Sequence, residues 1–459
     1  MAGVGFVLQK LSQRGDFAGN MMAFFYSAII SSGPWLFTVV CLAVLVLVGN
    51  QYLLGEDIAE FRIIIIYNFS FSLVLSAPVI MIVTRYLSDM IYAEDVSGAP
   101  GALVGMLVFT YCMAVPVAIL FYFFYAQLDV GIKVAAILNF ILITGIWLAN
   151  VFLSAMKEYA SLARSFGIGM FVALCAAIYL SKEFAIAGML FGFNIGLAFI
   201  FFDVVARILS EYPGEVRQPF SFIRYFKTHW EVALSGLIYN LAVWVDKWVM
   251  WSSQGSTMQP NGLISFPHYD GAMFLAYLSI VPAIALFTFS VETKFFEAYL
   301  RFYQDIKHHA TYERIEHNAT VLWQTVLGSA RGVLVLQLTI AIILLILAPL
   351  ILSFLQSSPM QLGIFRYGVL GSVFHALTMF ITAMLSYFDA RLKLLFISVV
   401  FFVLNTSLTM LSLEMGQAWY GWGYTAASIG SFSVAFLIFA HHLKQLPFET
   451  FVANNASVN

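Results

Sequence analysis

Residues 332–365 read GVLVLQLTIAIILLILAPLILSFLQSSPMQLGIF and contain no Asp, Glu, Lys or Arg. A helix that spans a bilayer needs roughly 17–25 predominantly apolar residues, so this stretch is long enough to cross one. A transmembrane β-strand would be about 10 residues with strict alternation; the run is too long and does not alternate. The same spacing recurs along the chain. Residues 17–55, 63–84, 96–128, 134–156, 165–181, 184–202, 271–291, 394–413 and 415–443 are also free of charged side chains, and 367–390 holds only Asp389 near its end. Composition agrees. Of 459 residues, 61% are hydrophobic and 10% charged, against roughly 25% charged in a soluble domain, and mean hydropathy is +0.90. So few charges could not cover a water-facing surface, and intrinsic disorder is excluded as well. A net charge of −2 offers no basic field for nucleic acid.

These gaps give eleven spans. A twelfth candidate, 229–251, is apolar but carries Asp246 and Lys247. The fold class expected is an all-α polytopic membrane protein with twelve transmembrane helices in two six-helix lobes. With both termini placed in the cytoplasm, all but five of the 22 Lys and Arg fall on the inner side, the exceptions being Arg62, Lys133, Lys182, Lys247 and Arg366. That asymmetry satisfies the positive-inside rule. The inner connection 207–228 contains Pro213, Gly214 and Pro219 and reads as a cytoplasmic linker between an N-terminal lobe, 1–206, and a C-terminal lobe, 229–459. Two halves of six spans suggest parallel repeats. The other long inner segment, 292–331, places Glu297 four residues before Arg301 and is expected to continue two helices beyond the membrane.

Polar side chains are costly in hydrocarbon, so their placement carries information. In the first span Ser27, Ser31, Trp35 and Thr38 fall on one stripe with Pro34 inside it; in the second Asn68, Ser72 and Ser76 repeat every four residues. The fourth has Asn139, Trp147, Asn150 and Ser154, and the tenth His375, Thr378, Thr382 and Ser386. In the seventh, Gly236, Asn240, Trp244, Lys247 and Trp251 share a stripe, with Tyr239 and Asp246 adjacent. Neighbours in sequence do not face each other on a helix, so Asp246 and Lys247 are each expected to meet water or a partner on another helix, the alternative being a structural ion pair near the outer interface. The ordinary alternative for any one Ser, Thr or Asn is a hydrogen bond between helices. Several polar and aromatic stripes together favour a central hydrated cavity. Gly188, Gly192 and Gly196 form a small-residue face that reads as close helix packing.

Enzymatic chemistry is not visible. GxxxxGK[ST], GxSxG and HExxH are absent, so a nucleotide-driven pump domain is not expected, and neither is a cofactor. His309, Glu313 and His317 could share one helical face; a solvated charged helix is the ordinary reading and a metal site the minor alternative. Cys41, Cys112 and Cys175 lie in apolar runs and read as small buried hydrophobes rather than a disulfide framework. The first apolar stretch, 21–49, is longer than the roughly 7–15 residues of a cleavable signal core.

Several motifs resemble one family. They are Met1-Ala-Gly-Val-Gly-Phe, Ile29-Ile-Ser-Ser-Gly-Pro-Trp35, Tyr239-Asn-Leu-Ala-Val-Trp-Val-Asp-Lys-Trp248, Asp270-Gly-Ala-Met-Phe-Leu-Ala-Tyr277 with Ile280-Val-Pro-Ala283, and Tyr387-Phe-Asp-Ala-Arg391. Together they resemble the PelG family of Pel exopolysaccharide transporters, which is similar to the multidrug/oligosaccharidyl-lipid/polysaccharide (MOP) flippase superfamily. The resemblance implies twelve helices in two lobes around a cavity, in a bacterial inner membrane. It also implies a cargo polymer rich in N-acetylgalactosamine and galactosamine, a cytosolic Pel glycosyltransferase as partner, and Pel membrane proteins including a cyclic-di-GMP receptor.

The site residues come from the stripes and not from the family. Ser31, Trp35, Asn68, Tyr239, Asn240, Trp244, Lys247 and Thr378 are candidates for a substrate path, offering hydrogen bonds and flat apolar faces to sugar. Asp246, Asp270, Arg366 and His375 are candidates for coupling or gating. Arg301, Lys307 and Arg314 are candidates for partner docking. Two other functions fit the same residues: an ion-coupled small-molecule exporter, and a membrane scaffold that anchors and activates the glycosyltransferase through 292–331.

Overall fold

The computed structural model describes residues 17–155, 159–355 and 358–446. Helices dominate, as they must where a backbone crosses hydrocarbon and has to satisfy its own polar groups. In chain order they are α1 Phe17–Gly49, α2 Gly55–Tyr92, α3 Ala99–Ile119 running into a π-helical turn Leu120–Tyr125, α4 Val130–Ala155 and α5 Tyr159–Glu211. A short α6, Ile223–Thr228, precedes α7, Trp230–Met250. Strands β1 Thr257–Met258 and β2 Ile264–Ser265 pair antiparallel, with Thr257 opposite Ser265. Then follow α8 Pro267–Leu278, α9 Val281–Ser290, a second π-helical turn Val291–Phe295, α10 Phe296–Lys307, α11 Tyr312–Phe354, α12 Pro359–Tyr387, α13 Arg391–Met415 and α14 Trp422–Lys444.

Among the described residues ten helical stretches are long and apolar enough to cross a membrane. Twelve is reached only by counting α5 as two and adding α7, which is not among the ten. The backbone supports dividing α5: Phe184 and Ala185 leave helical geometry, Ala185 at φ 47°. The two arms fold back on each other through the small-residue face. A Cβ on Gly192 would lie 2.3 Å from the Ala177 backbone, and one on Gly196 would lie 2.3 Å from the Gly169 carbonyl. Lys182 and Glu183 stand exposed at the tip.

The chain divides into two compact units. The first holds Ser32–Trp244 and Trp251–Pro267; the second holds Val245–Met250 and the chain from His268 onward, with the opening turns of α1. In the first unit the segment 207–228, expected as a linker, is packed down. The Pro219 carbonyl lies so close to α3 that a Cβ on Gly105 would sit 1.6 Å from it, and one on Gly101 would sit 2.0 Å from the Arg217 carbonyl. The Tyr86 and Ser221 hydroxyls are 2.7 Å apart, and Phe222 is buried against the edge of Phe109. Burial pushes the Tyr225 phenol above its ordinary pKa, and nearby the Ser97 hydroxyl and amide hold the exposed Asp95 carboxyl below its own. At the opposite end of α2, the Tyr67 hydroxyl donates to the Ile264 carbonyl at 2.9 Å and accepts from its amide at 3.2 Å, which fixes the β-hairpin. Trp251 stacks on Tyr67 at 4.9 Å.

In the second unit, Phe295, Phe302, Leu322, Phe380, Leu385 and Phe439 belong to one buried core. The segment 292–331 does contain two helices, α10 and the start of α11, and Arg301 pairs with Glu297. The break between them corrects one expectation. His309 has φ 54° and α11 begins only at Tyr312, so His309 does not share a helical face with Glu313 and His317. Among the described residues no group of three His, Cys, Asp or Glu is placed to hold a metal. The cysteines need a second correction. All three are free thiols, but only Cys41 is buried; Cys112 and Cys175 are exposed.

Candidate functional site

Parts of the polar stripes of α2 and α4 meet in the first unit and bond to one another. Asn68 is 1% exposed. Its Nδ2 donates to the Ala136 carbonyl and to Asn139 Oδ1, each at 2.9 Å. Its Oδ1 accepts from the Tyr122 hydroxyl at 2.6 Å. Asn139 Nδ2 in turn donates to Asn194 Oδ1 at 2.8 Å, and Asn194 Nδ2 to the Ala135 carbonyl at 2.8 Å. Trp147 Nε1 donates to Ser72 Oγ at 3.3 Å. This is interhelical bonding between buried side chains, where leaving such groups unmatched would be costly. Asn194 and Tyr122 were not singled out from sequence. Asn194 sits between the glycines of a small-residue face, and Tyr122 lies in a run of aromatics, so neither belongs to a polar stripe.

The seventh span carries the other group. Within the first unit, Tyr239, Asn240 and Trp244 of α7 are half-buried, as is Trp35 of α1. Asn240 Nδ2 donates to the Gly236 carbonyl at 2.8 Å. Gly236 lets α7 press on α2, since a Cβ there would stand 2.4 Å from Met81 Cγ. The side chain of Ser31 lies outside the described residues.

Within the second unit lies a buried charged cluster. Asp246 is 0% and Lys247 7% exposed. Contrary to the expectation from helical spacing, they pair directly: Lys247 Nζ lies 2.9 Å from Asp246 Oδ1 and 3.1 Å from Oδ2. The flexible four-carbon Lys stem reaches round the helix to its neighbour. Another helix contributes as well, because the Tyr269 hydroxyl of α8 donates to Asp246 Oδ2 at 3.0 Å. Lys247 Nζ also stands 4.5 Å from the centre of the Tyr277 ring, a cation–π arrangement that partly replaces lost hydration. Tyr277 meets Tyr424 at 5.4 Å and the edge of His375 at 5.8 Å. His375 Nδ1 and the Tyr424 hydroxyl are 2.9 Å apart. The cluster therefore joins a carboxylate, an ammonium, an imidazole and three phenols from α7, α8, α12 and α14. It can exchange hydrogen bonds and hold charge in a setting of low dielectric. The tyrosines were missed from sequence because Tyr269 and Tyr277 lie on α8 and Tyr424 on α14, far apart in the chain, and none forms a stripe.

Of the other expected residues, Asp270 is next to Tyr269 of the cluster in sequence. Thr378 is buried, and its hydroxyl donates to the Phe374 carbonyl one turn back at 2.9 Å. Asp270 is half-buried in the first turn of α8, and Arg366 is exposed on α12. Arg301 and Lys307 are exposed on α10. Arg314 is exposed too, but its guanidinium lies 3.0 Å from the carboxylate of Asp305, a buried residue that also accepts from Asn318 Nδ2. Asp305 thus fastens α10 to α11.

The helical fold defines the class: a multi-pass membrane protein with the fold seen in transporters of the MOP superfamily. Solved structures support this across nearly the whole chain. A multidrug resistance MATE family transporter of the MOP superfamily in an outward-facing conformation superposes with TM-score 0.63 at 15% identity, over 96% of this chain and 98% of that one. A MOP superfamily transporter from Pyrococcus furiosus Vc1, described as having a binding pocket of reversed polarity, gives TM-score 0.64 at 13% identity over 92% and 96%. A MATE transporter in complex with MaL6 gives 0.62 at 14% identity over 92% and 96%. At these identities the likeness is one of fold. No curated protein sequence matches the chain. Sequence decides the family: residues 1–451 match the PelG family of exopolysaccharide exporters (EPS-E), and the chain belongs to that family.

Proposed function

We propose that this chain carries a Pel-type polysaccharide, rich in N-acetylgalactosamine and galactosamine, across a bacterial inner membrane. The route is a hydrated cavity between two six-helix lobes, 1–206 and 229–459, joined at 207–228, with both termini cytoplasmic. It works within a synthase–secretion complex beside the cytosolic Pel glycosyltransferase and Pel membrane proteins that include a cyclic-di-GMP receptor. The observation that carries this reading is the match to an exopolysaccharide exporter family over residues 1–451. The half-buried Trp35, Tyr239, Asn240 and Trp244 support a sugar-lined path, because aromatic faces and amide groups suit a polyhydroxylated polymer. Asn68 and Thr378, 1% and 3% exposed, are less favoured for the path than these half-buried residues. Asp246 and Lys247, with His375, are the proposed coupling or gating group, and Asp270 and Arg366 are secondary candidates for that role.

The test is a chain carrying both Asn240→Ala and Trp244→Ala. It should reach the membrane at wild-type level and assemble with its partners but export less polymer. Normal export at normal expression would remove these residues from the path.

Docking of the cytosolic glycosyltransferase is supported by a separate observation, the exposed cations Arg301 and Lys307 on α10. Reversing both charges should reduce co-purification of the enzyme; full retention would reject this surface. Arg314 is unsuitable for that test because reversing it would also unfasten Asp305.

A further inference from the structure

A groove of about 530 Å³ opens in the second unit where α9, the second π-helical turn and α10 run alongside α11. Its lining is graded. At one level stand Leu286, Phe289 and Gly332, and a Cβ on Gly332 would lie 3.8 Å from Leu286 Cδ2. Below this the hydroxyls of Ser290 and Ser329 meet. At the far level stand Lys294, Glu297 and Arg301. The apolar end belongs to the spanning part of α9, and the charged end to the Lys- and Arg-rich side of the membrane. Arg301 is matched by Glu297, whereas Lys294 is exposed and makes no ion pair among the described residues. Among the described lining residues the groove therefore holds one cation without an ion pair. Two glycines of α11 create the space: a Cβ on Gly328 would meet nothing within 4 Å. The π-helical turn Val291–Phe295 contains Lys294, and such bulges recur at functional sites.

The geometry points to a binding site for an anionic phospholipid of the leaflet on that side. Its acyl chains would pass Leu286 and Phe289, and its phosphodiester would lie between Lys294 and the paired serines. The charge balance fits a lipid with a single negative charge. A soluble anion would gain nothing from the apolar end. Basic recesses between helices on the cytoplasmic side are suited to such headgroups. The inference rests on the membrane-spanning architecture and not on the identity of the cargo.

The full-length protein in nanodiscs of phosphatidylethanolamine with a minor share of phosphatidylglycerol provides the test, with lipid retained on the protein read by native mass spectrometry. Wild-type protein should retain phosphatidylglycerol in excess of its share of the bilayer. Lys294→Gln should lower that enrichment about fivefold, the effect of one cation near a membrane surface. Lys294→Arg should keep it. Gly328→Leu, which fills the groove where nothing stands in its way, should abolish it without lowering the melting temperature. Equal enrichment in wild type, Lys294→Gln and Gly328→Leu would overturn the proposal. So would displacement of the lipid from wild type by millimolar inorganic phosphate, which would make this a site for soluble anions.

Discussion

At the scale of single residues, the Asp246–Lys247 pair is the most exposed to test. Removing one partner of a buried ion pair strands the other charge, at a cost of about 3–5 kcal/mol, whereas replacing both can be nearly neutral. Asp246→Asn or Lys247→Met alone should therefore lower thermal stability in detergent sharply, while the double variant should recover most of the loss. If the double variant is as unstable as the sum of the singles, the two side chains do not stabilise each other. Export by the recovered double variant then asks whether the pair serves transport. The sequence displayed both charges, and their rarity in an apolar run marked them. What it could not display was that they answer one another, because helical spacing describes where Cβ atoms point and not how far a Lys stem bends. The three tyrosines around them were illegible for a different reason: their grouping depends on how α7, α8, α12 and α14 pack.

At the scale of elements, charge gaps and turn residues marked the helices well. The fold-back of α5 was readable from Lys182 and Glu183 interrupting two apolar runs, and the glycine face from its four-residue repeat. The state of 207–228 was not. Pro and Gly mark where regular structure stops, but they do not say whether the segment is loose, and here it lies against α3. Gly105→Ala would bring a methyl group to 1.6 Å from the Pro219 carbonyl. The backbone must shift, and the expected result is faster cleavage between Arg217 and Ser221 in limited proteolysis of the purified protein. An unchanged cleavage rate would show that α3 does not hold the segment. Similarly, the cations of α10 and α11 look alike in sequence, yet only the packing distinguishes Arg314, bonded to Asp305, from Lys307.

For the molecule as a whole, hydrophobicity fixed the class because a chain with so few charges has only a bilayer to dissolve in. Exposure inverts its usual meaning there. Ile342, Ile343, Ile346, Leu350 and Phe354 of α11 are exposed, and they form the surface offered to lipid. Exchanges among Ile, Leu, Val and Phe at these positions should leave expression and export unchanged. Ile346→Arg should lower the amount of inserted protein, since a charge near the middle of a span costs about 2.5–3.5 kcal/mol on insertion scales. Comparable membrane levels for Ile346→Arg would place α11 away from acyl chains.

The asparagines buried among α2, α4 and α5 also have a direction. Each carboxamide gives its N–H to the next oxygen, beginning at the Tyr122 phenol and finishing at a main-chain carbonyl that can only receive. No member can rotate by half a turn unless all do, and the last cannot, because Ala135 offers no proton in return. Three rods are thereby keyed in register by a one-way relay. An acid introduced at Asn194 would set two acceptors face to face and jam the key at its end, while the same change at Asn139 would cut the relay at its centre.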